Sequence, residues 1–537
     1  MIFLALPAVV LLLSAGFIFA ADKRKAGVSI LWMSAFIASL LVWGWTLYLH
    51  WRPQIAFRVG LSPNTAESSF PLVFTLDQVS WPYMMAVASL LLIMMVTAPS
   101  RTNAENSPRL WAVFLIITLI AYAAAASGGI WPLIFCWMAF DIIDLICLFA
   151  INQKLEPDQT ILMTAAIHLL GTLLAAVSLA VSQSEATTAS IGFVSKNGSK
   201  ILLVACALRL GIIPLHQPYV NMSHYQLGLG TMLSVSSTVT VLPILSRVSL
   251  EMLEPRLAVV LSVFTGIASL IGALGWILAQ DSFHGSAYFL VAAAGLAFTS
   301  ILRDQQQAAV LWGISLILTA VPLILFNSKN PVLKVLPVLI VLAFSGIPYS
   351  PNAEGWRGLI APPFSAMDFL FILVMAMLSA GSLRHIFKNN EVQAGKRESG
   401  LRSGSFFGCM AGLVSGVLIR FLNWGNWGAG AYGPEAVTAL MIGLVIFLIL
   451  FLPQQKTSAA HPNEALLWIE AGLSRLWAIV QNVLDIRWLY QIFRKISGML
   501  SVLAGFISGI LEGQAGILWE IIFLSGLLAV VLSGGVK

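Results

Sequence analysis

The sequence predicts an all-α polytopic membrane protein with about 14–16 transmembrane helices. Two of these helices are discontinuous and belong to inverted repeats, and an amphipathic helix runs laterally near the C-terminus. Three observations predict this. The 537-residue chain is 59% hydrophobic and 10% charged, which would give a soluble domain far too apolar a surface. Apolar runs of roughly 17–24 residues, the length that crosses a hydrocarbon core, recur along nearly all of it. Two of the runs are interrupted by glycine or proline, the residues that break helices.

In chain order the runs fall near 2–20, 28–49, 79–98, 110–127, 130–151, 160–181, 199–216 and 228–246. They continue near 256–278, 285–301, 307–326, 333–349, 364–386, 405–422, 436–453 and 515–533. The first starts without a basic segment, ends at Asp22-KRK and lacks a small-residue cleavage pattern, so it reads as a retained span. The stretches 50–78 and 182–200 are polar enough to be exposed connections. In the seventh run, Ile201-LLVACAL-Arg209-LGIIPLHQPY, Pro214 removes a backbone donor at membrane depth, where protein or water must re-satisfy the helix. The twelfth run ends in Ser345-GIPYSP, where Gly346, Pro348 and Pro351 make a second break. Broken spans in the two halves of a chain are the pattern of an inverted-repeat transporter.

Residues 465–496 are helical in period, with Trp468, Leu476, Trp477 and Trp488 interleaved with Glu470, Arg475, Asp485 and Arg487. That stretch is too charged to span and suits a helix lying along the membrane or the protein's flank. The chain therefore divides into N-terminal helices (1–70), a central set of spans that holds both breaks (71–390), additional spans (391–453), and a lateral helix with a terminal anchor (454–537).

The net charge of +6 is spread over loops and calls for no nucleic-acid partner. With Met1 outside, Lys and Arg of the inside loops outnumber those of the outside loops about two to one, as the positive-inside rule requires. The expected location is the cell inner (cytoplasmic) membrane, multi-pass and bathed in lipid, with the N-terminus outside. The cysteines Cys136, Cys147, Cys206 and Cys409 form no CxxC pair and suggest no disulfide framework or metal site. No nucleophile constellation, phosphate loop or cofactor motif is present, so no active site and no cofactor are expected in this chain itself.

The candidate functional residues are polar groups at membrane depth. Arg209 is a lone cation in an apolar run, where a charge costs about 3 kcal/mol or more unless it faces protein or water. Arginine does not release its proton, so Arg209 reads either as a fixed charge acting on a conduction path or as half of a structural ion pair. Asp141 and Asp144 lie one turn apart on one helical face and are its natural partners. His168, in the sixth span, is either a proton relay or a packing residue. His216 and His224, beyond Pro214, suit a gate or ordinary loop polarity. Asp368 is either a conducting acid or a structural group, a satisfied helix cap or an ion pair with Arg357. The hydroxyls around Ser234, Ser236, Ser237, Thr238 and Thr240 can hold a file of water or mediate close helix packing.

At Arg209-LGIIPLH, followed by Gly228-LGTMLSVSSTVTVLPILSR, the chain resembles the antiporter-like subunits of respiratory complex I. That superfamily includes Mrp-type antiporter subunits, membrane subunits of energy-converting hydrogenases, and the coupling partner of a bacterial inorganic-carbon uptake system. Phe74-TLDQVSWPYM resembles the family's approach to its third span, and Ala287-Tyr288, six residues after Asp281, the end of its Asp-x-Lys-x-x-x-Ala-Tyr motif. Ser345-GIPYSPNAEGW resembles its second broken helix. The resemblance covers roughly residues 70–390. It departs where the family carries its titratable groups. Arg209 stands for the usual lysine, and Met138 follows Trp137 where a glutamate is expected, leaving Asp141 and Asp144 as replacements. Hydroxyls replace a histidine on the second helix, and Phe283 displaces a lysine, leaving His284 beside it. Trp356 falls near the last charged position, with Glu354 and Arg357 adjacent.

What the resemblance implies is a proton- or Na+-translocating subunit of a hetero-oligomeric complex of the NADH:quinone oxidoreductase, hydrogenase or Mrp type, with other membrane subunits as partners. The alternatives are a degenerate structural subunit of such a complex, or a coupling subunit of inorganic-carbon uptake.

Overall fold

The computed structural model describes residues 2–25, 27–52, 55–59, 72–101, 107–151, 159–184, 194–213, 226–248, 254–326, 330–360, 363–388, 398–425, 428 and 430–456, with scattered residues between 472 and 502. Fifteen α-helices account for almost all of this: α1 (Ile2–Lys23), α2 (Val28–Leu49), α3 (Ser80–Thr97), α4 (Pro108–Ala126), α5 (Ile130–Ile151), α6 (Gln159–Ser184), α7 (Lys196–Arg209) and α8 (Leu227–Leu245). They continue with α9 (Pro255–Leu278), α10 (Ser282–Leu302), α11 (Gln306–Leu325), α12 (Val335–Ser345), α13 (Ala366–Phe387), α14 (Glu398–Trp424) and α15 (Gly433–Lys456). Among the described residues, twelve helices are long and apolar enough to cross a membrane. The protein is an all-α, multi-pass membrane protein.

Residues 1–480 form one compact unit and residues 481–537 a second. In the second unit only a few helical positions from Lys495 to Val502 are described, and the expected terminal span 515–533 lies outside the described residues. Of the expected lateral helix, Trp477 sets its ring edge-on against Tyr288, 5.2 Å between centroids.

The centre of the first unit is formed by α3, α8, α10 and α11, whose side chains are buried almost all round. A helix apolar on every face belongs in the middle of a bundle. The outer helices α1, α2, α5, α6, α9, α14 and α15 instead turn rows of large apolar residues outward, such as Leu12 and Phe17, or Ile142 and Ile146. Among soluble proteins that would be a liability; in lipid it is the expected surface.

Polar anchors at the two faces hold the bundle. On one face, a hairpin of β1 (Ile55–Val59) and β2 (Leu72–Leu76), paired antiparallel, leads into α3. Asp77 caps that helix, accepting from the Val79 and Ser80 amides at 3.0 and 2.7 Å. Arg247, after α8, pairs with Asp77 at 3.0 Å and donates to the Ser127 carbonyl at the end of α4. On the opposite face, Arg109 of α4 meets Asp22 of α1 at 3.0 Å. There too Arg384 of α13 donates to Ala279 O at 2.6 Å, satisfying the orphan carbonyls that end α9.

Two helices stop inside the bundle. α7 has 14 residues and α12 only 11, roughly 21 and 16 Å at 1.5 Å per residue, short of a full crossing. α7 stops at Arg209, short of the expected 216, because Gly211 turns left-handed at φ +71°; Pro214 lies outside the described residues. α12 stops at Gly346, also at φ +71°, where a Cβ would sit 2.7 Å from the Trp356 indole nitrogen. A turn through Pro348 then leads to a 3-10 helix, Ala353–Gly358.

Candidate functional site

The buried end of α7 is the polar centre of the first half. Arg209 is fully buried, and its guanidinium binds Asp141 of α5 through both prongs, Nη1 to Oδ2 at 2.9 Å and Nη2 to Oδ1 at 2.7 Å. The same Nη1 donates to the His168 carbonyl and the Thr172 hydroxyl of α6, at 3.0 and 2.9 Å. The guanidinium lies over the Trp137 ring, 4.6 Å from its centroid. Trp137 in turn donates its indole N–H to Thr240 O on α8 at 3.1 Å. Bidentate, stacked arginine geometry of this kind is one that lysine cannot reproduce.

Local sequence explains the fit. Asp141 lies four residues after Trp137 on α5, so carboxylate and ring share a face. On α6, His168 and Thr172 are likewise four apart. Gly171 between them leaves room for the arginine stem, since a Cβ there would lie 2.7 Å from Arg209 Cγ.

His168 adds a buried imidazole to this cluster. Its Nδ1 lies 3.5 Å from Asp141 Oδ1, and its buried Nε2 has no hydrogen-bond partner among the described residues. Asp141 is 19% exposed while Arg209 is sealed, so the carboxylate is the accessible part of the pair. Asp144, one turn on, is half-buried. The structure therefore brings together Asp141, Arg209 and His168.

The hydroxyls of α8 are arranged differently from an open file. Ser234, Thr238 and Thr240 donate to carbonyls of their own helix at 3.2, 3.2 and 2.7 Å. Ser236 and Ser237 are buried without a hydrogen-bond partner among the described residues. His284 lies apart from all of these, exposed at the start of α10, with its ring nitrogen 2.7 Å from Asp281. Burial pushes the Asp281 carboxyl up, but the His284 amide and ring more than offset this and hold it below the usual range. His216 and His224 lie outside the described residues.

Asp368 is fully buried at the start of α13. It forms a capping box with Ser365, whose amide donates to it at 2.7 Å, and pairs with Arg303 of α10 at 2.7 Å. The arginine beside it is thus Arg303 and not the expected Arg357, which is exposed because the 3-10 helix turns it outward. At the second break, Asn352 Nδ2 donates to Phe344 O and the Trp356 indole to Ser345 O, both at 2.9 Å, so the loose end of α12 is capped. Glu354 is half-buried and within electrostatic reach of Arg420, a buried arginine of α14. Sequence reasoning missed Arg420, although it is a lone cation in an apolar run just as Arg209 is.

This arrangement, a helical bundle with two truncated helices and an arginine–carboxylate centre at the first, defines a multi-pass helical membrane fold with two broken helices. Among solved structures the chain is similar to a subunit of the Mrp complex of Dietzia sp. DQ12-45-1b, with TM-score 0.67 and 14% identity over 95% of this chain. It spans 63% of the length of that Mrp chain. It is also similar to a chain of an archaeal membrane-bound sulfane sulfur reductase, a respiratory membrane complex, with TM-score 0.69 and 14% identity over 98% of this chain and 100% of that one. No family model matches the sequence, and no curated protein matches it.

Proposed function

We propose that this chain is an ion-translocating membrane subunit of a larger membrane complex, in which His168 and Asp141 handle the proton while Arg209 supplies a fixed field. The carrying observation is the contact of a buried imidazole with a carboxylate that a permanent cation already holds. Arginine cannot release a proton near neutral pH, whereas histidine can, so His168 does the work that a lysine performs in the resembling family. Protons fit this chemistry better than Na+. The driving reaction belongs to partner subunits, and the positive-inside pattern supports an N-terminus on the outer side of the cytoplasmic membrane.

A second reading, a non-pumping scaffold, is favoured by the locked geometry of Arg209 with Asp141 and by the α8 hydroxyls bonded within their own helix. A coupling role in inorganic-carbon uptake would use the same fold.

The test is proton flux in proteoliposomes holding the complex purified through a tag on this chain. His168→Gln is expected to lower flux at least ~10-fold, the scale of a lost acid–base group. Flux unchanged in His168→Gln and in Asp141→Asn/Asp144→Asn would leave the scaffold reading standing.

A further inference from the structure

A cleft of about 40 Å³ opens between α11, α12 and α14, beside the second broken helix. It exists because α12 ends after 11 residues and leaves the facing sides of α11 and α14 partly uncovered. Space of this size holds about three water molecules, provided that polar partners are present. They are. Ser315 and Thr319, four apart on α11, both line the cleft. Thr319 is 3% exposed, and neither hydroxyl bonds to any described residue. Most buried hydroxyls elsewhere in the bundle bond back to their own helix, as Thr118 and Ser89 do.

Arg420 lines the same cleft about one turn before the end of α14, its guanidinium 5.7 Å from the Trp424 ring centroid. The end of α14 lies on the face of Asp77, since Asn423 donates to Gln78 O. Arg420 therefore stands nearer that face, and Ser315 and Thr319, further along α11 from Gln306 at the same face, lie progressively deeper. The carbonyls that end α12 would repel an anion, but Asn352 and Trp356 occupy them. The carboxylate of Glu354 is near Arg420 and weakens its field without lining the cleft.

We propose that this cleft is an aqueous inlet, open on the face of Asp77 and biased toward small inorganic anions by Arg420 at its mouth, with Ser315 and Thr319 as donors at its inner end. The inlet requires only the cleft geometry. It stands or falls separately from proton transfer at His168.

The test is thiol accessibility in the membrane-embedded complex, with Ser315→Cys and Thr319→Cys introduced singly; the native cysteines are buried. A negatively charged sulfonate thiosulfonate reagent should modify both positions at least ~10-fold faster than a trimethylammonium one, the scale on which a charged cleft concentrates counter-ions. Arg420→Lys should keep the preference, Arg420→Gln should abolish it while leaving the positions reactive, and Glu354→Gln should increase it. Val414→Cys, on the outer side of α14, should react only with a lipid-soluble maleimide. Equal or faster reaction with the cationic reagent overturns the anion bias. Reaction of Ser315→Cys and Thr319→Cys with the lipid-soluble maleimide alone overturns the inlet, because an acyl chain then fills the cleft.

Discussion

Arg209 of α7 and Asp141 of α5 bind each other through both prongs, at 2.7 and 2.9 Å, although 68 residues separate them. The pair removes the cost of a lone cation at membrane depth, and it fixes α5 against the loose end of α7. Removing one partner leaves the other buried and unpaired, typically a loss of about 3–5 kcal/mol. Asp141→Asn should therefore lower the unfolding midpoint in detergent sharply, read by exposure of the buried cysteines. Asp141→Asn combined with Arg209→Met should recover most of the loss. A double variant no more stable than the single one would show that the pair is not what holds this contact.

Gly171 is a companion test. A methyl group there collides with the arginine stem, and overpacking of this kind costs about 1–3 kcal/mol. Gly171→Ala should destabilise the native chain but cost much less once Arg209 is methionine. Equal costs in the two backgrounds would mean that the collision lies with the α7 backbone at Ala205 O instead, 3.3 Å from the added carbon.

Asp77 gives a pH dependence. Burial pushes its carboxyl up, but the Arg247 guanidinium and the bonds from Ser80 outweigh this and hold it below the usual carboxylate range. A carboxyl depressed in the folded state contributes stability above its unfolded value, near ~4, and loses that contribution as pH falls through the folded value. Thermal midpoints measured from pH 7 downward should fall below about pH 4, and Asp77→Asn should already be destabilised at pH 7 and flatter on acidification. Parallel curves for the two proteins would remove Asp77 from the acid response.

The start of α13 distinguishes two arginines. Ser365→Ala removes half of the capping box and should cost about 1 kcal/mol. Arg303→Ala leaves the buried Asp368 without its 2.7 Å partner and should cost more than Ser365→Ala. Exposed Arg357→Ala should stay within about 0.5 kcal/mol of the parent. Equal effects of the two arginine variants would contradict the pairing.

Gly346→Ala tests the second break. A left-handed backbone costs a residue with Cβ about 1–2 kcal/mol, and here the added carbon also meets the Trp356 ring. Gly425, left-handed too but in open space, should tolerate alanine better; the comparison isolates the indole contact.

Much of this was legible in the residues. Hydropathy placed most of the described helices to within several residues, because a membrane crossing demands a continuous apolar run, and Gly346 marked the second break; the first falls at Gly211, a position the run of residues did not single out. Asp141 was legible as a partner of Arg209 because a buried cation needs a counter-charge and few acids lie in spans. The cap at Asp368 was legible as one of two readings, since serine three residues before an acid is a capping pattern. His284 was harder to place: nothing in its spacing says that it stands at an exposed helix start.

The sequence by itself determined the class of the protein, its membrane spans and the two truncated helices, since these follow from local composition and backbone chemistry. Only the tertiary structure decided which side chains meet: His168 against Asp141, Arg303 and not Arg357 on Asp368, and Arg420 with Ser315 and Thr319 around one cleft. Those contacts join helices far apart in the chain. Their geometry depends on how faces rotate and pack in three dimensions, which no single stretch of residues encodes.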